Sequence, residues 1–206
     1  MPGTKKNKIG YPVMENFYTL QGEGFHTGNA AYFIRLAGCN VGCVWCDVKE
    51  SWDATKHPVR TTDEIITAAL EHPARIAVVT GGEPAMYDLG DLCNGLHNAK
   101  FKVHIETSGA YPLLGDIDWI TVSPKKFMPP LSSCLAKANE LKVVVFNRND
   151  FLWAEQHAEK VNATCKLYLQ PEWSKMETIT PLLINYIKDH PKWQLSLQTH
   201  KYTNIP

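Results

Sequence analysis

The chain has 206 residues, with 21 basic and 21 acidic side chains and a formal net charge of +0. That length suits one α/β domain with a sizeable core, and the balanced charge gives no global pull toward nucleic acid or an anionic membrane. No apolar run approaches the length of a membrane span.

Residues 1–12 open polar and basic, without an apolar signal segment, and read as a flexible leader ahead of a single domain over 13–206. Val13 to Leu20 leads into Gln21-Gly22-Glu23-Gly24, a glycine-flanked turn carrying an amide and a carboxylate. Ala30 to Leu36 reads as a strand that ends just before Gly38-Cys39. Thr55 to Thr62 reads as a loop, and Thr62-Asp63-Glu64 as the cap of a helix carrying Ile65, Ile66, Ala69 and Leu70. Arg75 to Thr80 is a β-branched run opening onto Gly81-Gly82-Glu83-Pro84, followed by a helix from Met86 to Ala99. Further strands are expected at Phe101–Ile105, Trp119–Val122, Glu140–Phe146, Lys166–Leu169 and Trp193–Leu197, and further helices at Leu131–Ala138, Asp150–Lys160 and Met176–Asp189.

Short, continuously apolar strands alternating with helices predict a parallel sheet with helices outside. Polar motifs at the strand ends suit the rim of a barrel, though an open doubly wound sheet would also place its site there. About six or seven strands and four or five helices are too few for an eightfold barrel. The fold class predicted is therefore α/β, a partial, splayed (β/α) TIM-like barrel in a single domain.

The densest chemistry lies in Gly38-Cys39-Asn40-Val41-Gly42-Cys43-Val44-Trp45-Cys46-Asp47. Cys39, Cys43 and Cys46, spaced C-x3-C-x2-C, can point three thiolates at one object. Three is one short of a closed zinc site or a fully cysteine-ligated cubane, so a [4Fe-4S] cluster held here keeps one iron open. A zinc knuckle needs a fourth ligand nearby, and the nearest downstream histidine is His57. A disulfide leaves one cysteine over. Cys93, Cys134 and Cys165 are scattered, and all six cysteines fit reduced thiols in the cytoplasm.

The spacing, with Trp45 just before the last cysteine, resembles the radical S-adenosylmethionine (SAM) superfamily. There the open iron chelates the amino and carboxylate groups of SAM, and an electron from the cluster cleaves the sulfonium to a 5′-deoxyadenosyl radical. Gly81-Gly82-Glu83-Pro84 alone is only a turn, but it matches the stretch that binds the SAM amino group in that superfamily. Ser123-Pro124-Lys125 and Gln170-Pro171 are each unremarkable alone. The set becomes specific with Leu20 to Gly24, Phe33 to Leu36, Ile105-Glu106-Thr107-Ser108-Gly109 and Leu197-Gln198-Thr199-His200-Lys201-Tyr202. From about Glu15 to Pro206 the chain resembles the 7-carboxy-7-deazaguanine synthase family.

This resemblance implies a carbon–nitrogen lyase of 7-deazapurine (queuosine) biosynthesis, converting 6-carboxy-5,6,7,8-tetrahydropterin to 7-carboxy-7-deazaguanine with loss of ammonia and regeneration of SAM. It implies that Cys39, Cys43 and Cys46 ligate the cluster. Trp45, Gly82, Glu83, Ser123, Lys125 and Gln170 would lie along SAM. Leu20, Gln21, Gly22, Glu23, Arg35, Thr80, Glu106, His200 and Pro206, with its carboxylate, would surround the pterin. Mg²⁺, an electron donor such as flavodoxin and a homodimer are implied as well. One departure stands out: relatives follow the last cysteine with Asp-Thr or Asp-Ser, whose hydroxyl serves Mg²⁺, whereas here Asp47 precedes Val48, which has no oxygen ligand. Water could replace that hydroxyl, Asp47 could take more of the load, or the metal dependence could be weaker.

Two other classes share part of this pattern. A glycyl-radical activase would use the same cluster loop but has no need of Glu23, Arg35 and His200. A zinc-stabilised interaction module would be colourless and indifferent to SAM. Direct nucleic-acid binding is disfavoured by the neutral charge and the lack of interleaved aromatic and basic residues.

Overall fold

A computed structural model describes residues 9–206. Most of the expected leader, residues 1–8, lies outside the described residues. Gly10 to Pro12, also expected in that leader, instead open β1 (Gly10–Leu20). Tyr11 explains the difference: its ring is 1% exposed, and its hydroxyl donates to the Asp88 carbonyl at 2.9 Å.

The remaining strands are β2 (Ala30–Leu36), β3 (Val59–Thr61), β4 (Ile76–Gly81), β5 (Lys102–Thr107), β6 (Trp119–Val122), β7 (Glu140–Val145), β8 (Lys166–Pro171) and β9 (Trp193–Leu195). They form one nine-stranded sheet in the order β3-β1-β2-β4-β5-β6-β7-β8-β9. From β2 to β9 neighbours run parallel, while β1 is antiparallel to both β2 and β3. The edge strands β3 and β9 do not pair, so the sheet is an open, partial barrel. The expectation of a parallel sheet of about six or seven strands is thus corrected to nine strands, of which one, β1, runs against the rest. β3 has three residues, none buried, too few to stand out from the loop expected over 55–62.

Helices α1 (Thr62–Leu70), α2 (Gly90–Asn98), α3 (Ser132–Lys137), α4 (Asn149–Ala158) and α5 (Met176–Asp189) accompany the sheet. The cap of α1 lies one residue before the expected position: Thr61 and Glu64 form a reciprocal capping box. Among the described residues no helix is long and apolar enough to cross a membrane.

The strands are not continuously apolar but alternate, as the two-residue period of a pleated strand requires. Val79, Val103, Ile105, Val122, Leu141, Val143 and Leu169 join the main core with residues from the helices, including Leu92, Leu96, Ala154 and Leu183. The intervening residues Thr80, Glu106, Ser123, Lys142 and Gln170 line a cavity on the other face. An open barrel therefore presents a polar inner wall, and the loops beyond the strand ends close over it.

Candidate active site

The cysteine loop is fixed by backbone hydrogen bonds to two neighbours. Gly38 and Cys39 donate to the carbonyls of Ser51 and Trp52 at 2.6 and 3.2 Å. Gly82 donates to the Leu36 carbonyl and Glu83 to the Gly38 carbonyl, each at 2.9 Å, so the segment after β4 lies directly along the cysteine loop. Only glycine fits this approach. Gly81 has φ +137 and a Cβ there would sit 2.0 Å from the Leu36 oxygen, while one at Gly82 would sit 2.4 Å from the Gly38 oxygen.

Cys39, Cys43 and Cys46 all line one cavity of about 620 Å³. Burial pushes the Cys39 and Cys43 thiols up, and the Trp52 indole N–H donates to Cys46 Sγ at 3.4 Å. Among the described residues no three Cys, His, Asp or Glu side chains gather tightly enough to hold a single metal ion. All three thiols line the same cavity, and Cys43 and Cys46 lie close enough to push the Cys39 thiol further up; three cysteine sulfurs without a fourth protein ligand are the donor set of a site-open cubane. The residues therefore fit a [4Fe-4S] cluster.

Glu83 is 1% exposed, and its carboxylate accepts from Thr107 Oγ1 at 2.5 Å, from the Ser108 and Ala85 backbone N–H groups at 2.8 and 3.0 Å, and from Ser108 Oγ. It ties the segment after β4 to the end of β5. Lys125 Nζ donates to Ser123 Oγ at 2.6 Å, and burial lowers its pKa, with Cys43 the leading opposing influence. Gln170 Oε1 accepts from Ser196 Oγ at 2.7 Å.

Across the cavity, the Gln21–Gly24 turn meets the C-terminal segment. Gly22 O accepts from both the backbone N–H and the hydroxyl of Thr199 at 2.9 Å, which starts α6 (Thr199–Thr203). A Cβ at Gly22 would lie 2.3 Å from His200 Nδ1, so only glycine lets the imidazole pack here. After α6, Asn204 takes a left-handed φ of 53, and the chain turns so that Pro206 lines the cavity.

Glu23 and Glu106 face each other there across Lys142, at 2.5 and 2.8 Å from its Nζ. Burial would raise the Glu23 pKa, but the Lys142 ammonium, the Gln198 amide and His200 hold it at about 2. Burial lowers the His200 pKa, opposed first by Glu23. At the foot of the wall, burial pushes Glu140 up to about 7 despite Lys142.

All the residues singled out from sequence line this one cavity: Cys39, Cys43, Cys46, Trp45, Asp47, Gly82, Glu83, Ser123, Lys125, Gln170, Leu20, Gln21, Gly22, Glu23, Arg35, Thr80, Glu106, His200 and Pro206. Arg35 is partly committed elsewhere, donating to Glu15 at 2.7 Å. Sequence reasoning gave no site role to Lys142 and Trp52, nor to Gln198 and Lys201 within the Leu197–Tyr202 motif, and all four line it too. For Lys142 a signal existed: a lysine at an inward position of the otherwise apolar Leu141 to Val145 run.

The Mg²⁺ site fares differently. Val48 lines the cavity with a side chain that has no oxygen, its carbonyl accepts from Ser51, and the Asp47 carboxylate pairs with Lys201 Nζ at 3.2 Å. A hard cation that wants an oxygen shell finds an alkyl group and a carboxylate already holding an ammonium. The residues do not fit the Mg²⁺ site that the resemblance implies.

The profile of the Radical SAM superfamily matches residues 33–128. A 7-carboxy-7-deazaguanine synthase from Flavobacterium psychrophilum is 54% identical over 195 residues, covering 95% of this chain and 92% of the relative. One from Synechocystis sp. is 47% identical over 197 residues, covering 96% and 94%. The crystal structure of QueE from Escherichia coli matches with a TM-score of 0.84 at 34% identity, over 93% of this chain and 95% of that one.

Proposed function

Because the chain belongs to the 7-carboxy-7-deazaguanine synthase family of radical SAM enzymes, we propose that it converts 6-carboxy-5,6,7,8-tetrahydropterin to 7-carboxy-7-deazaguanine with loss of ammonia. The observation that carries this reading is the convergence of cysteine thiols, strand-end polar groups and the Gln21–Gly24 turn on one cavity of about 620 Å³. A space of that size suits small molecules rather than a protein segment.

Cys39, Cys43 and Cys46 would hold the [4Fe-4S] cluster. Trp45, Gly82, Glu83, Ser123, Lys125 and Gln170 would lie along SAM. When bound, the cluster and SAM together supply one-electron cleavage of the sulfonium and hydrogen-atom abstraction. The chain's own work is alignment and exclusion of water. Glu23 and Glu106 offer acceptors to the N–H groups of the pterin, with Gln21, Gly22, Thr80 and His200 beside them. The guanidinium N–H groups of Arg35 not used by Glu15 can take the substrate carboxylate. Leu20, Phe17, Phe33 and Trp173 add apolar wall that keeps water from the reacting carbon. No step is assigned to Mg²⁺. Reduction by a donor such as flavodoxin, a homodimer and a cytoplasmic setting complete the proposal.

The test is anaerobic turnover of the cluster-loaded protein with SAM, reductant and 6-carboxytetrahydropterin. The expected result is 7-carboxy-7-deazaguanine with most SAM recovered intact, and loss of all turnover in Cys43→Ala. Steady SAM cleavage without that product would point to another radical SAM substrate, the glycyl-radical activase reading included.

A further inference from the structure

Lys142 is 4% exposed at the middle of β7, on the inner wall. A lysine this deep is kept only where partners repay its desolvation. Its ammonium bridges Glu23 from the β1–β2 turn and Glu106 from β5, at 2.5 and 2.8 Å. The other oxygen of each carboxylate is held by an amide: Gln198 Nε2 donates to Glu23 Oε1 at 2.9 Å, and Gln21 Nε2 to Glu106 Oε1 at 3.1 Å. The Glu23 backbone N–H donates to Gln21 Oε1 at 3.1 Å, closing the network onto the turn.

A lysine ammonium has no acceptor and an ionised carboxylate has no donor. With Lys142 seated between them, Glu23 and Glu106 keep spare lone pairs and nothing to give. Their combined charge with Lys142 is one negative. Such a wall matches a heterocycle edge made of N–H and NH₂ donors, as in a 2-amino pyrimidinone ring, and opposes an edge whose amino group is replaced by a carbonyl.

We propose that Lys142 is a positioning residue that fixes Glu23 and Glu106 as acceptors only and thereby makes the site selective for a 2-amino over a 2-oxo pteridine. Without the ammonium, two partly buried carboxylates face each other, and one takes up a proton. A protonated carboxyl can donate to a carbonyl, so the discrimination is lost together with affinity. The low Glu23 pKa, about 2, agrees with this account. The inference rests on the pterin reading of the cavity.

The experiment is anaerobic calorimetry on the cluster-loaded protein with SAM and no reductant, so that nothing turns over. The ligands are 6-carboxytetrahydropterin and its 2-oxo analogue. In the wild type the 2-amino ligand should bind at least about a hundredfold more tightly, because the analogue sets a carbonyl against the two carboxylate acceptors. Lys142→Met should weaken 2-amino binding by about ten- to a hundredfold, the value of hydrogen bonds to charged groups, and shrink the preference to under about tenfold, with SAM affinity unchanged. An unchanged preference in Lys142→Met, or equal losses for both pteridines and SAM, overturns the proposal. Should Lys142→Met fold poorly, Lys142→Met/Glu23→Gln removes one charge of each sign and should recover stability; no recovery also overturns it. A wild type that binds neither pteridine would instead defeat the substrate reading. The stability coupling between Lys142 and Glu23 would still be measured without ligand.

Discussion

The backbone N–H of Glu83 donates to the carbonyl of Gly38 at 2.9 Å, joining the segment after β4 to the cysteine loop after β2. The group expected to receive SAM and the loop expected to hold the cluster are therefore one hydrogen-bonded unit, and displacing one displaces the other.

Gly82→Ala tests that unity. The added methyl would lie 2.4 Å from the Gly38 oxygen and 2.9 Å from Cys39 Cβ. Overpacking of this kind costs about 1–3 kcal/mol, and the movement falls on a thiol that must ligate iron. Lower iron per chain, weaker visible absorbance of the cluster and a lower melting temperature are expected. Wild-type iron content in this variant would mean that the two segments move independently.

The Trp52 indole N–H reaches Cys46 Sγ at 3.4 Å. A hydrogen bond to a ligating sulfur draws charge from it and favours the reduced cluster. Trp52→Phe keeps the aromatic bulk and removes the donor, so the midpoint of the cluster should become more negative in an EPR-monitored redox titration. An unmoved midpoint would leave Trp52 a packing residue alone.

Much of this site is written in local sequence, because its parts sit in short contiguous motifs at strand ends. Cys39, Cys43 and Cys46 announce themselves by spacing, and Gly82 by a backbone approach that no side chain would allow. Lys142 is different: what matters about it is a pairing with Glu23, 119 positions away. Trp52 donates to a sulfur six positions earlier, but only because the intervening turn brings its ring back. The parallel strands were legible in outline, yet their inward polar positions pass for interruptions until the sheet's curvature gives them a common cavity. β1 escaped because its burial follows no clean period beyond Val13.

Glu140 predicts a pH dependence of stability. Burial raises its pKa from an ordinary 4.5 to about 7, with Lys142 opposing. The folded state then holds a proton that the unfolded state releases, so stability falls as pH rises through that window. Glu140→Gln keeps acceptors for the Phe25 N–H and the Trp119 indole, which reach Oε2 at 3.1 and 3.4 Å, and cannot ionise. At about pH 8 the variant should gain stability on the order of 1–3 kcal/mol over wild type, narrowing toward no gain at about pH 4.5. Melting temperatures of both proteins across that range decide it; a gap that does not widen with pH would show that Glu140 ionises freely.

Lys201 Nζ lies 3.2 Å from Asp47 Oδ2 and 4.8 Å from the centre of the Trp173 ring, held on both sides at the edge of the cavity. Val48 lines the cavity where the resemblance implies a hydroxyl for the cation. Threonine is nearly isosteric with valine, so Val48→Thr adds an oxygen without reshaping the wall. Turnover of the wild type should be the same in a chelator as in Mg²⁺, and Mn²⁺ used as an EPR-visible probe should stay hexa-aquo with substrate and SAM present. In Val48→Thr the Mn²⁺ spectrum should broaden as the ion is bound, and Lys201→Met in that background should tighten it by freeing the carboxylate. Binding of Mn²⁺ by the unaltered protein would show that water replaces the missing hydroxyl and that the pairing of Asp47 with Lys201 gives way to the metal.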